Sequence, residues 1–151
     1  MYAPANVKVI NIQAQRQGKI CEEELFGELF QKPIKSITVN DPYLFTYEQI
    51  VNRLGTYIAM AMKHTTLEKI SIYTRSAQPN NEQMSAEKKI ITLYGEKVVF
   101  NHTIPEHDRY LIIQRESGEK IRILIGRGLD FIQPDGSVKS TYIVIEDPWK
   151  G

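Results

Sequence analysis

Residues Val99 to Gln133 decide the fold: V-F-N-H-T-I-P-E-H-D-R-Y-L-I-I-Q, then Arg115-Glu116-Ser117-Gly118, then E-K-I-R-I-L-I-G-R-G-L-D-F-I-Q. Two runs rich in β-branched and aromatic residues flank a Ser-Gly turn, which is a hairpin signal. Counting outward from that turn sets Arg115 against Lys120, Ile113 against Arg122 and Arg109 against Gly126, provided no bulge intervenes. His107-Asp108-Arg109 then lies beside Gly126-Arg127-Gly128-Leu129-Asp130 at one end of the ladder. Cationic donors next to a glycine-rich turn suit a phosphate or carboxylate, because backbone N–H groups can approach it unhindered.

Upstream, Asn6–Ile12 alternates apolar and polar residues and reads as a strand. Ile20–Gln31 is a short amphipathic helix that stops before Pro33. Ile34–Val39 is a second strand, closed by Asn40-Asp41-Pro42. From Tyr43 to Lys63 the apolar residues follow helical spacing, and Thr46 with Gln49 forms a capping-box pattern that starts the helix proper near Tyr47. Glu68–Thr74 is a strand, Asn81–Tyr94 a helix capped by Gly95, and Thr141–Glu146 the last strand. Strands and helices alternate first and strands alone follow, which predicts an α/β layered fold on a mixed β-sheet of about five to seven strands with flanking helices. Leu54, Ile58, Ile70, Ile72, Val99 and Ile123 are the expected core.

The 151 residues make about one domain, long enough to bury a core without staples. Charge is nearly balanced, 19 Lys+Arg against 18 Asp+Glu, so any polyanion site must come from local clustering rather than from net charge. The single cysteine, Cys21, cannot form an internal disulfide; it fits a reducing, cytoplasmic setting and a buried place in its helix. No apolar run approaches the roughly 18–20 residues of a membrane span. No His/Cys/Asp spacing argues for a metal, no G-x-x-x-x-G-K-[ST] loop is present, and no cofactor is expected. Tyr2, Tyr110 and Trp149 are scattered aromatics that form no stacking platform. His64 and His102 read as surface or strand-end residues.

Four segments in order carry a resemblance: Leu25-Phe26-Gly27, Asp41-Pro42-Tyr43 after a strand, His107-Asp108-Arg109, and Gly126-Arg127-Gly128-Leu129-Asp130-Phe131. Together they resemble the phospholipase D-like MIT C-terminal (MIT_C) domain family. Members end the eukaryotic midbody protein that carries an MIT domain and the Lon-like AAA+ ATPase of bacterial BREX phage-exclusion systems. The resemblance divides the chain into an N-terminal strand and linker (1–19), the phospholipase D-like domain (20–147) and a tail (148–151). It implies that His107 stands at the nucleophilic histidine of the superfamily's H-x-K-x-x-x-x-D signature, Arg109 at its lysine and Gln114 at its acid. Gly126-Arg127-Gly128 stands at the G-S-x-N turn. Two departures, arginine for lysine and glutamine for the acid, imply a degenerate, non-catalytic motif.

The expected ligand-binding set is therefore Asp41, His107, Asp108, Arg109, Arg127 and Asp130, with His107 the one catalytic candidate. His107 has three roles open to it: nucleophile, ligand contact, or a ring that orients the G-R-G turn. Arg109 and Arg127 can fork onto a phosphate or form internal salt bridges to Asp108 and Asp130. Asp41 follows a strand at the carboxyl end of the sheet, where α/β proteins keep their sites, and it can serve the cleft or cap a turn; Arg75 sits on the same rim. The leading expectation is a module that binds a phosphate-bearing polyanion or mediates assembly in a BREX-like phage-defence setting. Nucleic acid, a phospholipid headgroup, an AAA+ ATPase partner and a homo-oligomer are the partners implied. The alternatives are an active phosphodiesterase or nuclease pairing His107 across a homodimer, and a phosphoinositide-binding module at a membrane surface.

Overall fold

The computed structural model of the protein describes residues 6–103 and 106–151; Tyr2 and the Ile104-Pro105 pair of the opening stretch lie outside the described residues. Seven strands form one sheet: β1 (Val7–Ile12), β2 (Ile34–Asn40), β3 (Lys69–Tyr73), β4 (Val98–Asn101), β5 (Tyr110–Arg115), β6 (Lys120–Ile125) and β7 (Thr141–Glu146). Their order is β1-β7-β6-β5-β2-β3-β4. β2, β3 and β4 run parallel, joined by helical crossovers, whereas β5, β6, β7 and β1 are antiparallel. The sheet is mixed, as the alternation of elements predicts, and β1 extends it at one edge.

The register places Ile37, Val39, Ile70, Ile72, Leu111, Ile113, Ile121, Ile123 and Ile143 on one buried face. Phe26 of helix α1 (Glu22–Phe26), Leu54, Ile58 of α2 (Gly55–Ala61) and Ile90 of α3 (Asn81–Tyr94) join them in a single cluster. The opposite face carries half-buried and exposed residues such as Val144 and Tyr142. Each isoleucine so buried contributes roughly 1.5–3 kcal/mol of transfer free energy, so this one-sided alternation is what holds the sheet to its helices.

Several expectations need correction. The hairpin closes through a three-residue loop, with Arg115 N donating to the Glu119 carbonyl and Gly118 at φ +93°. That loop shifts the register by one, pairing Ile112 with Arg122 and Gln114 with Lys120. Val98, not Val99, turns into the core. Cys21 is exposed, because it precedes α1 instead of lying within it. The helix of residues 20–31 is an α-turn that tightens to a 3₁₀ turn at Gly27–Phe30, and the long helix opens with a π-helical stretch, Glu48–Leu54, before α2. The capping box holds as read: Gln49 N donates to Thr46 Oγ1 at 3.1 Å and Thr46 N to Gln49 Oε1 at 3.2 Å. Among the described residues no helix is long and apolar enough to cross a membrane.

Candidate functional site

One edge of the sheet gathers the carboxyl ends of β2 and β3, the start of β5 and the end of β6. Parallel β2 and β3 point Asp41 and Arg75 to that edge, and the antiparallel hairpin returns Arg109 and Arg127 to it. Asn40, buried at the end of β2, donates from Nδ2 to the carbonyls of Glu106 (3.0 Å) and Asp108 (2.8 Å). Those two bonds fix the backbone on both sides of His107 while leaving its ring exposed. Among the described residues the ring of His107 and the carboxylate of Asp108 have no hydrogen-bonded side-chain partner.

Asp41 is 4% exposed. Its Oδ1 accepts from Tyr43 N at 3.0 Å, an Asx turn, and its Oδ2 accepts from Leu129 N at 3.5 Å. Burial raises its pKa above the ordinary value of 3.8; the Tyr43 amide, the charge of Arg109 and the Leu129 amide pull it back in part. Gly128, at φ +85°, passes between Asp41 and Arg109. A Cβ there would lie 2.8 Å from Arg109 Cδ and 3.0 Å from Asp41 Oδ2. The motif therefore needs glycine twice over, for its backbone conformation and for the close approach of two side chains.

Arg109 donates from Nη1 to the Arg127 carbonyl at 2.6 Å, and its guanidinium carbon lies 4.7 Å from the centre of the Tyr43 ring. Arg127 is held from behind, its N–H donating to Thr141 Oγ1 at 2.9 Å and its Nε to the Ser140 carbonyl at 3.3 Å. Of the two roles open to Arg109 and Arg127, the internal salt bridges to Asp108 and Asp130 do not form among the described residues. Asp130 is instead engaged by Lys139 Nζ at 3.5 Å and by Gln49 Nε2 at 3.2 Å, and Asp108 turns outward. The Lys139 partner falls in a separate loop, so spacing within the G-R-G-L-D motif gave no sign of it. The edge thus presents two arginines that carry no ion pair among the described residues.

Sequence reading passed over Tyr43 and Asn40 as site residues and left Arg75 on the rim. Arg75 stands with its guanidinium carbon 5.8 Å from the same Tyr43 ring. Buried Gln83 ties the backbone after Tyr43 to that of Arg75, donating from Nε2 to the carbonyls of Leu44 (3.0 Å) and Arg75 (2.6 Å). Gln114, at the acid position of the motif, sits at the far end of β5 and accepts from Ser36 Oγ at 3.2 Å. As the fifth residue of β5 it lies seven positions from His107 and is engaged by Ser36 rather than by that ring. The best-formed concavities lie away from this edge; one of about 360 Å³ is lined by Glu23, Gly27, Phe30, Met60, Lys63 and His64.

No curated protein matches the chain in sequence. Solved structures do match in fold. A polyphosphate kinase from Porphyromonas gingivalis superposes over 93% of this chain with TM-score 0.59 at 12% identity. A yeast tyrosyl-DNA phosphodiesterase superposes over 92% with TM-score 0.51 at 14% identity. The chain spans only 23% and 31% of the lengths of those two structures. A family model described as the phospholipase D-like domain at the C-terminus of MIT matches residues 20–147, and to that family this chain belongs.

Proposed function

We propose that this edge is a non-catalytic recognition surface for a phosphate-bearing polyanion, with Arg109 and Arg127 as its principal contacts and His107 beside them. The observation that carries the reading is the absence of carboxylate partners for both arginines among the described residues, since a paired guanidinium has little left to give an incoming anion. Asp41 serves by positioning: it holds Leu129 N and flanks Gly128, and Asp130 fastens the same loop through Gln49 and Lys139. Asp108 is the outward acid that limits how close a phosphate can come. The engagement of Gln114 by Ser36 at the far end of β5, and the absence among the described residues of a partner that would fix the imidazole's tautomer, support binding without hydrolysis. By their names, the two structural relatives act on polyphosphate and on a tyrosyl–DNA linkage, ligands of the same chemical class. The biological setting we propose is that of the family members fused to AAA+ ATPases in phage exclusion.

Binding of a labelled oligonucleotide and of polyphosphate, measured at low salt and again at 200 mM, tests the reading. The wild type should bind, lose affinity as salt rises, and lose roughly tenfold on Arg109→Gln or Arg127→Gln. Equal binding by wild type and both variants overturns it. Hydrolysis of a phosphodiester by wild type but not by His107→Ala would replace it with the second reading, in which two copies pair their exposed His107 rings. Capture by phosphoinositide vesicles without binding to either soluble chain would move the ligand to a membrane surface.

A further inference from the structure

We propose that Arg75 and Tyr43 complete this site, and that the site takes two successive phosphates of one chain rather than a single phosphate. The inference rests on the polyanion reading and adds a length requirement to it. Tyr43 is 37% exposed, and both guanidiniums stand over its ring, Arg109 at 4.7 Å and Arg75 at 5.8 Å from the centroid. An aromatic ring attracts a guanidinium through its quadrupole without carrying charge of its own. It therefore holds the two arginines in place without adding a negative charge of its own, while the nearby Asp41 carboxylate, across Gly128, is engaged by the Tyr43 and Leu129 amides.

The two cations are also anchored independently. Arg109 is tied to the Arg127 carbonyl. Arg75 is tied through its main chain, its N–H donating to the Pro42 carbonyl at 3.3 Å and its carbonyl accepting from Gln83, while its Nε is buried with no hydrogen-bond partner. Two like charges fixed on one ring repel each other, and an anion that reaches both relieves the repulsion. A tetrahedral phosphate that forks onto one guanidinium with two oxygens leaves the other unneutralised; the next phosphate along a chain supplies it. With guanidiniums already over the ring, the phosphate backbone is the part of a nucleic-acid strand that this pair of cations reads. Inorganic polyphosphate and a nucleic-acid strand share that chemistry.

Titration calorimetry with orthophosphate, tripolyphosphate and oligothymidylate tests this on the wild type and on Arg75→Gln, Tyr43→Leu and Tyr43→Phe, with circular dichroism checking the fold of each. The wild type should bind tripolyphosphate at least about tenfold more tightly than orthophosphate. Arg75→Gln and Tyr43→Leu should remove most of that advantage; Tyr43→Phe should keep it. Equal affinity of the wild type for the two anions, or an advantage that survives Arg75→Gln, overturns the two-phosphate site and leaves the polyanion reading standing. No binding of tripolyphosphate or oligothymidylate by the wild type overturns both. Displacement of one chain by the other at matched charge tells polyphosphate from nucleic acid as the source.

Discussion

Arginine is used in two opposite ways at two places in this molecule. Beneath the helices, Arg53 meets Glu22 at 3.1 Å and Glu48 at 3.3 Å. Near the closed end of the hairpin, Arg115 meets Glu119 and Asp147, and Arg122 meets Glu146. At the site edge, Arg109 and Arg127 meet backbone carbonyls, Arg75 and Arg109 meet the Tyr43 ring, and none of the three forms an ion pair among the described residues. The first group is neutralised where it stands and serves the fold. The second is left without an ion pair among the described residues, which on the proposed reading keeps it available to an anion. Motif position did not separate the two groups; the identity of each guanidinium's nearest partner does.

The sharpest way to break this contrast is to mutate both kinds of arginine. Glu22 has a side chain only 3% exposed, so Arg53→Met strands a buried carboxylate and should cost about 3–5 kcal/mol in chemical denaturation. Arg109→Gln should cost less than about 1 kcal/mol of stability, because its guanidinium forms no ion pair among the described residues. If the two variants lose equal stability, the division between fold arginines and site arginines is wrong.

Gly128→Ala probes the loop that joins the two arginines of the motif. Alanine at φ +85° is strained, and its Cβ would strike Arg109 Cδ at 2.8 Å. A loss of roughly 1–3 kcal/mol is expected by thermal or denaturant unfolding, together with weaker anion binding as Arg109 is pushed from its carbonyl partner. Unchanged binding in a destabilised variant would show that Arg109 need not sit where it does.

What the chain discloses by local rule came through well. The capping box at Thr46–Gln49, the C-cap at Gly95 and the hairpin at Ser117-Gly118 each depend on residues within five positions of one another. The failures share a cause. A three-residue loop in place of a two-residue one slid the hairpin by one, because strand register has a period of two and a single insertion flips every partner. Tyr43, Arg75 and Arg109 meet from β2, β3 and β5, and Lys139 reaches Asp130 from a loop after the motif; no spacing encodes such meetings. Salt bridges between the motif's own charges are one of two roles open from sequence, and the fold instead gives Asp130 to Lys139 and Gln49.

The smallest expected effect concerns Asp41, which stands where the two regions' rules meet: it is a buried carboxylate beside an unpaired arginine. Burial raises its pKa in the folded protein above 3.8, and the Arg109 charge compensates only in part. A carboxyl with a raised folded pKa binds its proton more tightly folded than unfolded, so protonation favours the fold. Its contribution is therefore present in full below pH 3.8 and is lost as pH rises through the folded value. Asp41→Asn keeps an oxygen to accept from Tyr43 N and has no proton to exchange. At neutral pH the variant should lie within about 1 kcal/mol of wild type. On acidification toward pH 4 the wild type should gain on the variant, read as the difference between their unfolding midpoints at each pH. If bound anion neutralises Arg109, that difference should widen in tripolyphosphate, because the charge that favours ionised Asp41 is then screened. A gap that ignores both pH and anion would mean that Asp41 ionises as freely as an exposed carboxylate and does not sense Arg109.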